Sequence, residues 1–249
     1  MFRKLSPYLL VVALVLGLLA FQWQPTWLWM ISLALTAVFL IVIKSISRKN
    51  FFGQWYIWLT YLIFLYSCLG QFAIINSAAF RVWYLLLITL VWLWLVYSSS
   101  VYFSAGRDWR AQQYLEVDRF VDYLAIWQAL NVLYFSLLFI NLADWLAVFI
   151  VGLAVLIIIN NLISVPGLKK SSKSLVLSST VLTTVQIFFF LSLLPLHFYI
   201  QSTLVSLWLF FIMELTLKGQ EIKSRKRLFW AYFIAIVTLL LAILLGSNI

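Results

Sequence analysis

The sequence predicts an all-α fold: a polytopic transmembrane helical bundle of about nine spans, with the N-terminus cytoplasmic and the C-terminus outside. Of the 249 residues, 65% are hydrophobic and only 10% are charged, whereas roughly a quarter of the residues in a soluble domain are charged. Apolar runs of about 20 residues, enough for a helix to cross the hydrocarbon core, recur along the whole chain. Lysine and arginine are concentrated in alternate connections between these runs.

Polar residues, prolines and glycines separate the apolar runs and supply the predicted helix ends. The predicted spans are Leu5–Gln22, Thr26–Ile43, Gln54–Phe72, Val82–Phe103, Val121–Ile140, Trp145–Val165, Leu175–Leu194, Phe198–Leu217 and Leu228–Leu245. We predict one integral membrane domain over residues 1–249 and no soluble domain, with the longest inner connection running from Ser104 to Phe120. The first run is expected to stay as an uncleaved helix, because no small-residue cleavage site follows it. The sequence leaves open whether Pro195 separates two spans or kinks one.

The basic residues test the predicted orientation, because lysine and arginine are retained on the cytoplasmic side of a membrane. With the N-terminus inside, all of the 17 lysines and arginines except Arg81 fall on the inner side. The net charge of +10 is therefore attributed to topology and not to nucleic-acid binding. We expect a bacterial cytoplasmic membrane as the location, and anionic headgroups as partners of the last inner connection. Its basic residues are Lys218, Lys223, Arg225, Lys226 and Arg227.

Acidic residues are concentrated between the fourth and fifth predicted spans. Asp118 and Asp122 are four residues apart, so a helix places both carboxylates on one face, where they could chelate Mg²⁺ carried by a diphosphate. The interpretation that we favour is an amphipathic turn at the inner interface, in which the charges pair in water and both aspartates lie near a helix N-terminus. Asp144, at the outer start of the sixth span, is predicted to be its N-cap.

The spacing of Asp118 and Asp122 invites comparison with membrane prenyltransferases, which have a similar number of spans and aspartate-rich inner loops after the second and sixth. The corresponding loops here are Lys44–Lys49 and Gly167–Lys173, and neither contains a carboxylate. The residues therefore do not support membership of that family.

Polar side chains inside the predicted spans are the remaining candidates for a site. Glu214, near the end of the eighth span, could couple protons or cations, although Lys218 four residues later could instead form an ion pair with it. Uncharged groups could line a cavity or a transport path, or simply join helices by hydrogen bonds, which is the interpretation we favour. They are Gln128, Asn131, Tyr134, Asn160, Asn161, Ser179, Thr183 and Gln186.

Three function classes remain after the motif search. Phosphate-binding loops, zinc-protease helices and nucleophile turns are missing from the sequence. One cysteine (Cys68) and one histidine (His197) cannot form a disulfide or a protein-only zinc site, so we expect no metal and no cofactor. The leading hypothesis is a non-catalytic subunit or assembly partner of a membrane complex, with membrane proteins as partners. The alternatives are a small-solute or lipid transporter, using Gln128, Asn131, Gln186 and Glu214, and an enzyme acting on a lipid-linked substrate at the inner interface through Asp118 and Asp122.

Overall fold

The computed structural model describes residues 2–47, 55–105, 110–163 and 170–218, and in these ranges the regular structure is entirely helical. A short 3₁₀ turn at Pro25–Trp27 separates the first two helices. The α-helices are α1 (Phe2–Trp23), α2 (Leu28–Ser47), α3 (Trp55–Ile74), α4 (Ala78–Ala105), α5 (Arg110–Phe139), α6 (Asp144–Ile163), α7 (Lys170–Ser192) and α8 (Phe198–Lys218).

The length and composition of these helices make the chain an integral membrane protein. Five stretches are long and apolar enough to cross a bilayer: Trp55–Ile74, Ala78–Ser99, Val117–Phe139, Asp144–Asn161 and Ser174–Ser192. Shorter apolar stretches occur in the other three helices, at Tyr8–Trp23, Trp29–Lys44 and Phe198–Met213. Eight helices match the first eight predicted spans in order, while the ninth prediction, Leu228–Leu245, lies outside the described residues.

Helix α5 begins before the predicted fifth span, so part of the expected inner connection is helical. The connection was predicted to run from Ser104 to Phe120, but α4 continues to Ala105 and α5 begins at Arg110. Residues 110–116 are mostly Arg, Ala, Gln, Leu and Glu, which are strong helix formers even though they are not apolar. Hydropathy identifies only the part of a helix that fits the hydrocarbon, so it missed this polar extension.

The segment around Pro195 is a turn between two helices. Helix α7 ends at Ser192, α8 begins at Phe198, and the two helices pack against each other. Proline lacks the amide proton that a continuing helix needs, which explains why the chain reverses here. The seventh and eighth predicted spans are therefore separate helices.

The chain divides within α5 into two compact units, residues 1–125 and 126–249. In the first unit, α1 packs against α2 and α4, and α3 contacts both α2 and α4. The close approach of α1 and α2 depends on Gly17, since a Cβ atom there would lie 3.0 Å from Ile31 Cγ2. Phe64 and Trp92 stack at 5.1 Å between α3 and α4, and both are buried.

In the second unit, α7 packs against α6 and α8, and α6 also touches α8. The side chain of Gln201 in α8 is fully buried and holds the end of α7. Its Nε2 donates to Leu191 O at 2.8 Å and to Leu194 O at 3.0 Å. Each of these carbonyls, at the end of α7 and in the turn that follows, also accepts one backbone N–H, from Leu194 and Leu196. Gln201 therefore stabilises the α7–α8 hairpin.

Candidate functional site

Two groups of polar side chains are buried in the protein, one in each compact unit. In the first unit, Asp118 is only 7% exposed and Asp122 is fully buried. The expectation that these charges lie in a solvated turn near a helix N-terminus was wrong, because α5 has already run two turns when it reaches Asp118. Both carboxylates are inside the protein at the start of an apolar span.

A tyrosine from another helix contacts the first of these carboxylates. Tyr61 in α3 donates its hydroxyl proton to Asp118 Oδ1 at 2.7 Å, and this hydrogen bond is buried. Trp58, one turn earlier in α3, packs edge-on against the Tyr61 ring at 5.9 Å. The Tyr61–Asp118 pair therefore joins α3 to α5 by a specific contact.

The chemistry open to this carboxylate pair is limited by its burial. A magnesium diphosphate substrate has to reach a carboxylate oxygen to be chelated, and the side chain of Asp122 is fully buried in this structure. Within the described ranges, no group of three or more His, Cys, Asp or Glu side chains could hold a metal ion. The geometry is that of a buried polar link between helices.

The second group joins α5 to its neighbours in the second unit. Ser202 in α8 donates to Asn131 Oδ1, and both residues are fully buried. Trp127 Nε1 donates to Thr203 Oγ1 at 3.1 Å, which makes a second bond between α5 and α8. Interhelical hydrogen bonds of this kind hold membrane helices together where lipid offers no alternative partner.

A third bond connects α5 to α7. Tyr134 Oη donates to the backbone oxygen of Phe188 at 3.0 Å, and the two rings pack with centroids 4.5 Å apart. Gln128 is also buried, so the polar groups predicted in the fifth span all lie inside the protein.

The polar residues predicted in the seventh span have a different environment. Ser179 and Gln186 are exposed and Thr183 is half-buried. The hydroxyls of Ser179 and Thr183 are satisfied by carbonyls of their own helix. Gln186 makes no hydrogen bond in the part of the chain that the structure describes. The structure thus brings Asn131 to Ser202 and leaves Gln186 on the surface of α7.

Other candidates lie at helix ends or outside the described residues. Helix α6 begins at Asp144, but the oxygen of Ala143 accepts the first helical hydrogen bonds, so Ala143 holds the N-cap position. Glu214 and Lys218 belong to the last turns of α8, and their side chains are outside the described set. Asn161 is buried and Asn160 half-buried near the end of α6. The basic residues from Lys223 to Arg227 are not described either.

Arg81, the exception to the predicted charge distribution, has a local structural role. Its Nε donates to Ile75 O at 2.5 Å, directly after the end of α3, and its guanidinium lies 5.7 Å from the centroid of the Phe72 ring. A cation near a helix C-terminus is stabilised by the helix dipole. This contact explains why an arginine is kept at this end of α3.

The sequence did not lead to the prediction of four of the residues that form these contacts. Gln201, Ser202 and Thr203 interrupt the apolar start of the eighth span, and this run of polar residues was the available signal. Tyr61 has no such signal, because it is one of 12 tyrosines in a chain rich in aromatic residues. Its role follows only from the packing of α3 against α5.

Comparison of the chain with protein-family models, with curated proteins and with solved structures finds no match.

Proposed function

We propose that this chain is a non-catalytic subunit or assembly partner of a larger membrane complex. The observation that carries the proposal is Gln186, an exposed amide about 9 Å inside the apolar span from its end at Ser192. A polar group without a hydrogen bond in an apolar medium costs on the order of 2–7 kcal/mol. A partner helix that offered a donor and an acceptor would remove this cost.

The rest of α7 supports the same conclusion. Only 22% of the stretch Ser174–Ser192 is buried, compared with 67% of Trp55–Ile74 in α3. The buried side of α7, formed by Thr180, Thr184 and Phe188, faces its own unit. Its other side carries Gln186 among large apolar residues, which is a suitable surface for another membrane protein.

The substitution Gln186→Leu tests this proposal. We expect the wild-type chain, extracted in a mild detergent, to migrate as a complex larger than its own 29.0 kDa, and the variant to lose that complex. Phe190→Leu is the matched control, since Phe190 is equally surface-exposed on α7 but carries no polar group. A wild-type chain that is monomeric in detergent and cannot be cross-linked in membranes would refute the proposal.

A small-solute or lipid transporter is the second candidate, and the burial of Asp118 and Asp122 favours it. Ionisable groups inside a membrane domain are costly, and they commonly serve proton or cation pathways. Purified protein in vesicles would then move protons down an imposed pH gradient, measured with an enclosed pH-sensitive dye. The double variant Asp118→Asn/Asp122→Asn should abolish that flux, and a wild-type protein with no flux counts against this function.

We also propose a bacterial cytoplasmic membrane, nine spans and a cytoplasmic N-terminus. The distribution of the 17 lysines and arginines supports this orientation. The absence of glycosylation sequons from the sequence is consistent with a bacterial chain. The cluster Lys218, Lys223, Arg225, Lys226 and Arg227 would then meet anionic headgroups at the inner face.

A further inference from the structure

The exposed side of α7 carries a regular stripe of residues. Reading along the chain, the spacing alternates between four and three residues, which is the heptad spacing of a coiled-coil seam. Every member of the stripe is exposed. The stripe consists of Leu175, Ser179, Leu182, Gln186 and Phe189.

The heptad positions of the stripe follow from this alternation. Leu175, Leu182 and Phe189 occupy one seam position of successive heptads, and Ser179 and Gln186 occupy the other. Large apolar residues therefore repeat every seven residues, and one long polar side chain lies among them. In two-stranded coiled coils a single polar seam residue sets the register and the number of strands. The stripe is about 21 Å long, roughly two-thirds of the thickness of the hydrocarbon core.

The side chain of Gln186 indicates which partner binds this surface. Two copies inserted with the same orientation are related by an axis along the membrane normal, so their α7 helices run parallel and equivalent residues meet at the same depth. A carboxamide is complementary to itself, because Nε2 of each glutamine can donate to Oε1 of the other. Gln186 of one copy therefore finds its partner in Gln186 of the second copy.

We propose that α7 forms a parallel, two-fold symmetric interface with a second copy of this chain, through the heptad stripe and a pair of Gln186 side chains. This rests on the proposed function, since it names the assembly partner of the surface described above. The interface gives each Gln186 amide a hydrogen-bond partner and also covers the apolar residues of the stripe. A different membrane protein as the partner is the main competing outcome.

Disulfide cross-linking of the full-length chain in lipid vesicles tests the interface. The background is Cys68→Ser, which removes the sole cysteine. Ser179→Cys, Leu182→Cys and Phe189→Cys place single thiols along the stripe and leave Gln186 intact. Phe149→Cys and Leu153→Cys on α6 are exposed controls on a different helix.

We expect mild oxidation to give covalent dimers of twice the chain mass at the three stripe positions, with yields several-fold above those of the two controls. Gln186→Leu in the same background should weaken dimerisation about tenfold, measured by dilution into vesicles at increasing lipid-to-protein ratio. Circular dichroism of each variant verifies that the helices are intact.

The possible results separate this inference from the proposed function. Equal cross-linking at stripe and control positions, or dimers that are insensitive to Gln186→Leu, overturns the two-fold interface. The stripe thiols could give no homodimer while Gln186→Leu still dissociates a larger complex. In that case the partner is not a second copy of this chain, and the subunit proposal stands. A monomer under both measurements refutes both.

Discussion

At the scale of single residues, the most informative contact is the buried hydrogen bond from Tyr61 to Asp118. A carboxylate that leaves water loses strong hydration, and it is tolerated in a protein only when it is hydrogen-bonded or paired. Tyr61 supplies one such bond from a different helix. The contact therefore links α3 to α5 and gives one oxygen of the Asp118 carboxyl group a hydrogen-bond donor.

The substitution Tyr61→Phe should destabilise the protein by about 1–3 kcal/mol, because it removes a donor from a buried carboxylate without changing the ring. The measurement is thermal unfolding in detergent, followed by tryptophan fluorescence. Asp118→Asn should cost less, since the amide oxygen still accepts the bond from Tyr61.

Tyr66→Phe is the matched control for this experiment. The Tyr66 hydroxyl also takes part in a hydrogen bond, to Thr36 Oγ1 at 2.7 Å, but that bond is exposed. Its loss should change the unfolding temperature little. Equal effects of the two Tyr→Phe substitutions would show that burial of the Asp118 contact contributes nothing.

At the scale of helices, the α7–α8 hairpin depends on a residue that follows the turn and not on the turn alone. Gln201 reaches back from α8 to two carbonyls at the end of α7. Each carbonyl also accepts a backbone N–H of the turn, from Leu194 and Leu196, so Gln201 adds a second hydrogen bond to each oxygen. The hairpin thus combines a proline, which prevents a continuous helix, with a side chain that caps the helix before it.

Gln201→Leu should therefore lower the free energy of unfolding by about 1–3 kcal/mol, because it removes two hydrogen bonds between α8 and the end of α7. Gln186→Leu is the matched control: the same change on the exposed side of α7 removes no hydrogen bond within the chain. Its effect on unfolding of dilute monomer in detergent should be negligible. Similar losses for both variants would contradict the capping role of Gln201.

At the scale of the whole molecule, the prediction that remains to be tested is the orientation in the membrane. Three exposed residues lie in connections that the proposed topology places outside: Asn76, Asn141 and His197. Asn141 has a φ of 54°, a left-handed conformation that asparagine adopts more readily than most residues, so it ends α5 at this point. In the same topology, Lys173 at the start of α7 is inside.

Cysteine accessibility in intact cells measures this orientation. In the Cys68→Ser background, single cysteines at positions 76, 141 and 197 should react with a membrane-impermeant maleimide. A cysteine at position 173 should react only after the membrane is permeabilised. Labelling of position 173 from outside would reverse the orientation and remove the argument from the basic residues.

Sequence and structure contributed different parts of this description. The helical class, the membrane environment and the approximate positions of eight helices follow from composition and run length, because lipid offers the backbone no hydrogen bonds and forces helices of bilayer length. The true start of α5 did not follow, since Arg110 to Glu116 form helix without being apolar. Hydrophobicity therefore predicts the membrane spans, whereas helix propensity determines where α5 begins.

The contacts of the candidate sites were decided by the tertiary structure alone. The sequence predicts that Asn131 needs a polar neighbour, but only the packing of α5 against α8 selects Ser202. It predicts that Gln186 lies in a span, but only the packing of α7 shows that this amide is on the surface while Thr184 is buried. The physical reason is that hydropathy depends on one segment at a time, whereas a hydrogen-bond partner or an exposed face depends on which helices meet. The sequence by itself therefore determined that this protein is embedded in lipid. The tertiary structure decided which of its polar groups are exposed to a partner.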